Sequence, residues 1–271
     1  MANKITEYFN EHPIQKQMWL GSIYGALVRA MATPLTNWNN LVLRLHQRGK
    51  STKFQKKHLF NPSMMDGATG NAISAIPTYT AAFGLRTLFK EYYTPGTWSE
   101  FVGVFMAGMA AGVLSTPFEL LVQARLETKS TSTRKTLTTV ILSNTPQALL
   151  RGANIIAFRE GAWLTSYMAM LPLISGELQK QGLGKVESDA GSAVISGGTF
   201  GFFTAWVNTM RFERQSHAAT PSCPPPYPLI VKKLWIKDGV MGFFKGAVPR
   251  SVHTSFTAFA LNALINSRPE P

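Results

Sequence analysis

Arg159 and Glu160 stand side by side inside an apolar stretch, GANIIAFREGAWLTSYMAMLPLI (152–174), the one adjacent ion pair in any predicted span of this chain. Ionised side chains at such depth are costly and face a cavity or one another, so chemistry is to be sought here first. A guanidinium can hold a carboxylate through two parallel hydrogen bonds and a carboxylate can hold an ammonium, which together would seat an amino-acid-like solute. The competing use of the same pair is to reach other side chains and brace a static bundle. A second chemistry is signalled by Gly152 and Gly246, each opening an apolar helix directly after a cation, Arg151 and Lys245. Free backbone N–H groups and the helix dipole there favour a lipid phosphate. Gly67 opens a third such helix, but Asp66 before it would repel an anion. Catalysis is not indicated, since no nucleophile, base and orienting group fall together at motif spacing. The single Cys223 lies in a proline-rich loop with no histidine at ligand spacing, so no disulfide, metal site or cofactor is expected.

The elements that must position these residues are small-residue helices, and they repeat. In AGMAAGVLSTPFELLVQARLE (107–127), Gly108 and Gly112 share one face and admit a neighbouring backbone, while Pro117 kinks the helix two residues before Glu119. Gly25 stands nine residues before Pro34, Gly108 nine before Pro117 and Gly201 nine before Met210, where a proline would be expected. The glycines that open the second helix of each copy, Gly67, Gly152 and Gly246, follow those landmarks by 33, 35 and 36 residues. A supersecondary unit copied along a chain gives this kind of fixed period, and the unit here is a helix pair.

Composition agrees. A chain of 271 residues with 45% apolar and 15% charged content is too apolar to be disordered or fibrous. Its mean hydropathy of +0.01 is low for a membrane protein, as expected if helices lining a wet cavity keep polar inner faces. The net charge of +13 is concentrated between the halves of repeats, at Arg44, Arg48, Lys50, Lys53, Lys56 and Lys57 and again at Arg134 and Lys135. No aromatic-basic stacking surface or zinc spacing accompanies it, so basic loops on one side of a membrane fit better than nucleic acid. The amino end, MANKITEYFNEHP, carries Glu7 and Glu11 and has neither an apolar signal region nor an Arg-rich amphipathic pattern, so any targeting signal is expected to be internal.

In order, the pattern predicts a helix from about Gln17 to about Gln47, a second from Gly67 to the interfacial Tyr92 and Tyr93, and a third from Trp98 to Glu127. A short surface helix is expected around Leu137–Leu142, a fourth span from Gly152, a fifth from near Asp189, a stiff PSCPPPYP connector, a surface helix at Leu229–Lys237 and a sixth span from Gly246.

TPFELLVQARLE, the Arg151-Gly152 and Lys245-Gly246 dipeptides, the KDGVMGFFKG run and the repeat of about ninety residues together resemble the mitochondrial carrier family across essentially the whole chain. The resemblance implies an all-α membrane protein with six transmembrane helices in three pseudo-threefold repeats, each with a short matrix-side surface helix. One carrier domain would fill residues 1–271, with repeats at about 15–95, 96–182 and 187–268, in the inner rather than the outer mitochondrial membrane. It also implies bound cardiolipin at the glycine helix starts, and substrate contacts at the positions seven after the repeat glycines, Ser74, Arg159 and His253, with Glu160 following Arg159.

The family's matrix gate uses a proline, an acid two residues on and a base three further. Here those positions read Pro34, Thr36, Asn39; Pro117, Glu119, Val122; and Met210, Phe212, Gln215, with Glu213 reached by a slip of one residue. At the cytoplasmic gate the acid and base positions read Thr87 and Lys90, Pro172 and Ser175, Ile265 and Arg268. No intact pair survives on either side, and Glu119 has no assigned cation except Arg125, further along its own helix. Two function classes follow. The favoured one is a carrier fold kept as a transport-inactive or weakly active subunit among other membrane-protein subunits, as in a respiratory-chain complex. The alternative is an antiporter for amino acids or related cationic or zwitterionic metabolites.

Overall fold

The computed structural model describes residues 11–47, 49, 62–65, 67–94, 96–128, 149–150, 152–215 and 225–266. Asp66, Arg151, Cys223, Arg268, most of the basic runs and the surface helix expected at 137–142 lie outside them, as do the side chains of Val122 and Arg125.

Every regular element among the described residues is helical. The first predicted helix is two: α1 (Pro13–Met31), with proline at its start where the missing N–H costs nothing, and α2 (Thr33–Gln47), separated at Ala32. Pro34 sets that break, and the Thr33 hydroxyl donates to the Arg29 carbonyl at 3.0 Å across it. α3 (Ala68–Phe89) carries Pro77 and stays continuous, and α4 (Trp98–Thr128) runs unbroken through Pro117, where the Ser115 and Thr116 hydroxyls fold back onto the Gly112 carbonyl at 3.0 and 2.8 Å. α5 (Ala153–Thr165) passes through a π turn (Ser166–Met170) into α6 (Leu171–Lys180). α7 (Lys185–Phe203) and α8 (Ala205–Gln215) meet at Thr204, so the third repeat bends upstream of Met210, which lies inside a continuous helix. α9 (Tyr227–Asp238) follows, and α10 (Ala247–Asn266) ends the described chain.

The long helices pack in a circuit. α1 lies on α3, α3 on α4, α4 on α5, α6 on α7 and α7 on α10, which returns to α1 and α2. Small residues set the closest approaches, since a Cβ on Gly108 would sit 2.7 Å from the Gly161 Cα and one on Gly112 2.7 Å from the Ala157 Cα. Gly67, Gly152 and Gly246 share one left-handed backbone, with φ of 83°, 83° and 84°. Their equivalence along the chain is thus matched in conformation.

One helix, Trp98–Leu121, is long and apolar enough by itself to cross a membrane among the described residues. Several other helices, including α2, α5 and α8, are too short as continuous elements to meet that criterion, and polar side chains are buried on them, among them Asn39 and Asn40 on α2, Thr78 on α3, Arg159 and Glu160 on α5, and Asn208 on α8. The outward faces are a different surface. Trp19, Ile23, Leu27 and Met31 form an exposed stripe at four-residue spacing on α1, and exposed large apolar side chains recur on α4 (Val102, Met106, Leu114), α7 (Val194, Ile195, Phe202) and α10 (Val248, Val252, Phe259).

The interior contains two apolar layers. The larger centres on Tyr79, Phe83, Trp163, Tyr167 and Leu261. In it the Trp163 ring meets Tyr79 edge-on at 5.4 Å and stacks on Tyr167 at 5.6 Å. The smaller joins Ile155, Val207 and Met210 to Ile230 and Leu234 under α9. Lys233 on α9 donates to Glu213 at 2.8 Å, a carboxylate with 5% of its side chain exposed. Lys233→Ala should therefore lower the unfolding midpoint by an amount corresponding to about 1–3 kcal/mol, because it leaves that carboxylate buried with a partner missing. Lys180→Ala, which breaks a pair exposed on both sides (73% and 66%), should leave the midpoint unchanged. Thermal unfolding in mild detergent checks both.

Candidate functional site

A cavity of about 50 Å³ lies between the two apolar layers, lined by residues from every repeat. α1 and α2 contribute Arg29, Thr36, Asn39 and Asn40; α3 gives Asn71 and Ser74; α4 gives Glu119; α5 gives Arg159; α8 gives Asn208 and Arg211; and α10 gives Arg250 and His253. Ser74, Arg159 and His253 thus face one space. Tyr79 and Phe83 follow Ser74, and Trp163 and Tyr167 follow Arg159, by about one to two and a half turns, so this buried aromatic layer, the aromatic plug, lies toward the same end of both helices.

Arg159 and Glu160 are 3% and 4% exposed and bond each other, Arg159 Nε donating to Glu160 Oε1 at 2.8 Å. The Arg159 Nη2 also donates to Glu119, and Arg211 Nη1 donates to the other Glu119 oxygen at 2.8 Å. Glu119 therefore does have cations, and they come from α5 and α8. Arg125, the partner considered from the sequence, is on the same helix as Glu119, whereas the kinked helices bring two cross-bundle guanidiniums to it. The ion pairs tie the second and third repeats together. The first repeat puts the uncharged Thr36 and Asn39 at the corresponding level.

Several gate-position assignments change. Glu213 does not enter the cavity but faces α9 and Lys233, and Met210 is packed in the apolar layer under α9. The inward charge of the third repeat is Arg211, one residue after Met210. Gln215 and Asn39, each five residues after the landmark of its repeat, lie instead beside helix-opening glycines. The Gln215 amide nitrogen is 3.9 Å from a Cβ position on Gly152, and the Asn39 Oδ1 is 2.8 Å from one on Gly246. Both neighbours are neutral amides. Lys245 uses its backbone carbonyl to accept from Thr209 at 3.3 Å. At the opposite end, Ser175 donates to Asp189 on α7 at 2.6 Å, and Thr87 turns back onto the Phe83 carbonyl.

Arg29, Arg211, Arg250, Asn71 and Asn208 are cavity residues that the sequence reading did not select. For Arg250 the signal was present, since it stands four residues after Gly246 and three before His253, on the face they share. An isolated charge in a span carries the same meaning as an adjacent pair, and only the pair was weighed. Arg29 leans over Tyr79, its guanidinium carbon 6.0 Å from the ring centroid.

α9 fastens three parts of the bundle. Tyr227 donates to Asn154 Oδ1 at 2.7 Å and lies under Arg214, Lys233 holds Glu213, and Lys237 donates to the His46 carbonyl at the end of α2, where His46 Nε2 and Asp238 Oδ2 are 3.3 Å apart. Burial at this contact pushes the Tyr227 hydroxyl up from its ordinary value. Among the described residues no group of His, Cys, Asp and Glu could hold a metal ion. No protein-family model matches the chain, and a search of curated proteins finds no match.

Proposed function

We propose that this chain is a carrier-type bundle of six spans in the mitochondrial inner membrane, kept as a structural subunit of a larger membrane assembly such as a respiratory-chain complex, with transport lost. The exposed apolar side chains on α1, α4, α7 and α10 support the six-span reading, because a lipid-facing exterior and a polar interior account together for the low mean hydropathy. The observation that carries the static reading is the aromatic plug. A carrier must open each end in turn, between states of comparable energy. Wetting Tyr79, Phe83, Trp163 and Tyr167 would cost on the order of 6–12 kcal/mol at about 1.5–3 kcal/mol for each large side chain. At the other end the ion pairs join the second and third repeats, with no charged counterpart from Thr36 or Asn39, so closing that end offers little to offset the cost.

The alternative antiporter for amino-acid-like solutes is less well supported by the geometry. It needs Arg159 and Glu160 free for a carboxylate and an ammonium, and both are occupied by each other and by Glu119. In gentle detergent the 29.8 kDa chain should migrate inside a large complex. Purified protein in liposomes should show no saturable exchange of basic or neutral amino acids above empty vesicles, and Arg159→Ala should reduce recovery of the complex. Migration as a free monomer, together with counter-exchange abolished by Arg159→Ala in a folded protein, would sink the static reading.

A further inference from the structure

We propose that the central cavity holds a small, doubly charged oxyanion of phosphate size, seated between Arg250, Arg29 and His253. The inference rests on the closed-bundle reading above and adds a resident ligand to it. Four guanidiniums, Arg29, Arg159, Arg211 and Arg250, meet two carboxylates, Glu119 and Glu160. Both carboxylates are taken up by Arg159 and Arg211, which leaves an excess of two positive charges among the described residues of the cavity wall. Arg250 is 7% exposed and His253 5%, and neither the Arg250 Nε nor either ring nitrogen of His253 has a hydrogen-bond partner among the described residues. The partly buried Arg29 is bonded to Tyr79 and lies over its ring, and it pairs with no carboxylate among the described residues. Buried donors left in this condition are strongly unfavourable, and a bound counter-charge removes the penalty at several of them together.

The chemistry of the wall selects the ligand. Two excess positive charges call for a dianion, since a zwitterion would leave the imbalance unchanged. A cavity of about 50 Å³ suits a compact ligand such as a tetrahedral oxyanion. Ser74 and Asn71 add hydroxyl and amide donors on the facing wall.

The test uses the full chain purified in mild detergent without phosphate. Inorganic phosphate should raise the unfolding midpoint saturably, above chloride at equal ionic strength, and labelled phosphate should bind at a stoichiometry near one. Arg250→Gln should weaken binding at least about tenfold. Arg250→Met covers the case in which the glutamine variant fails to fold: it should bind no phosphate, and in phosphate-free buffer it should unfold at a higher temperature than wild type, because the uncompensated charge is gone. Equal shifts with chloride, a shift with succinate but not phosphate, or unchanged binding in Arg250→Gln would each overturn the proposal. If those failures came with the chain still migrating in its complex, the anion alone would be rejected. Saturable phosphate binding accompanied by phosphate uptake into liposomes would support the anion and overturn the static reading.

Discussion

Replacing Glu119 by alanine should destabilise the bundle by about 3–5 kcal/mol, the range for removing one partner of a buried ion pair. Its side chain is 11% exposed and bridges Arg159 on α5 to Arg211 on α8. Without it Arg159 keeps Glu160, but Arg211 loses the carboxylate that neutralises it. The loss is therefore expected to fall chiefly on the α8 side. Removing both charges should cost much less, because an apolar pair of similar volume leaves nothing uncompensated, and Glu119→Leu combined with Arg211→Leu should recover most of the stability. Unfolding of Glu119→Leu, Arg211→Leu and the double in detergent gives the coupling energy. A Glu119→Ala protein as stable as wild type would show that the cross-bundle ion pairs do not hold the helices together.

Bulky substitutions at Gly108 and Gly112 should have a comparable effect for a steric reason. A Cβ at Gly108 would lie 2.6 Å from the Glu160 carbonyl oxygen, and one at Gly112 2.9 Å from that of Ile156. Backbone atoms cannot swing aside as side chains can, so α4 and α5 must separate. Overpacking of this type costs roughly 1–3 kcal/mol per site, and Gly108→Val with Gly112→Val should approach the loss of a folded species in native electrophoresis. The displacement would also draw Arg159 on α5 away from Glu119 on α4. Gly70→Ala and Gly176→Ala are the controls. Both lie within helices with nothing within 4 Å of the added carbon, so replacing a flexible glycine there should be neutral or stabilising by up to about 1 kcal/mol. Equal outcomes for the two pairs would remove the close-contact argument.

The helix order and the glycines that open helices could be read from the residues, because left-handed backbone and close approach both demand glycine, and Gly67, Gly152 and Gly246 carry the demand at matching places. The common cavity of Ser74, Arg159 and His253 followed from counting along helices of regular pitch. The partners of Glu119 could not be counted in this way. They depend on where helices bend, and the bend of the third repeat lies at Thr204, not at the Met210 landmark, so the inward charge is Arg211 and the buried Glu213 is turned toward α9. The π turn at Ser166–Met170 has a similar effect further along. Its extra residue shifts the phase of α6, and positions such as Pro172 and Ser175 no longer match those at the same count from Gly67 or Gly246. Single-helix hydropathy was also uninformative beyond α4, since breaks at Ala32, Ser166–Met170 and Thr204 divide the predicted spans into shorter helices.

The fastening role of α9 bears on how the protein is made. One helix late in the chain holds the end of α2, the start of α5 and the buried acid of α8. A nascent chain of two hundred residues has most of its long helices but none of these three clasps. Until residues 227–238 emerge, the ends of α2, α5 and α8 lack these contacts. A chain ending before residue 227 should therefore be less stable than the full chain at three helix ends at once.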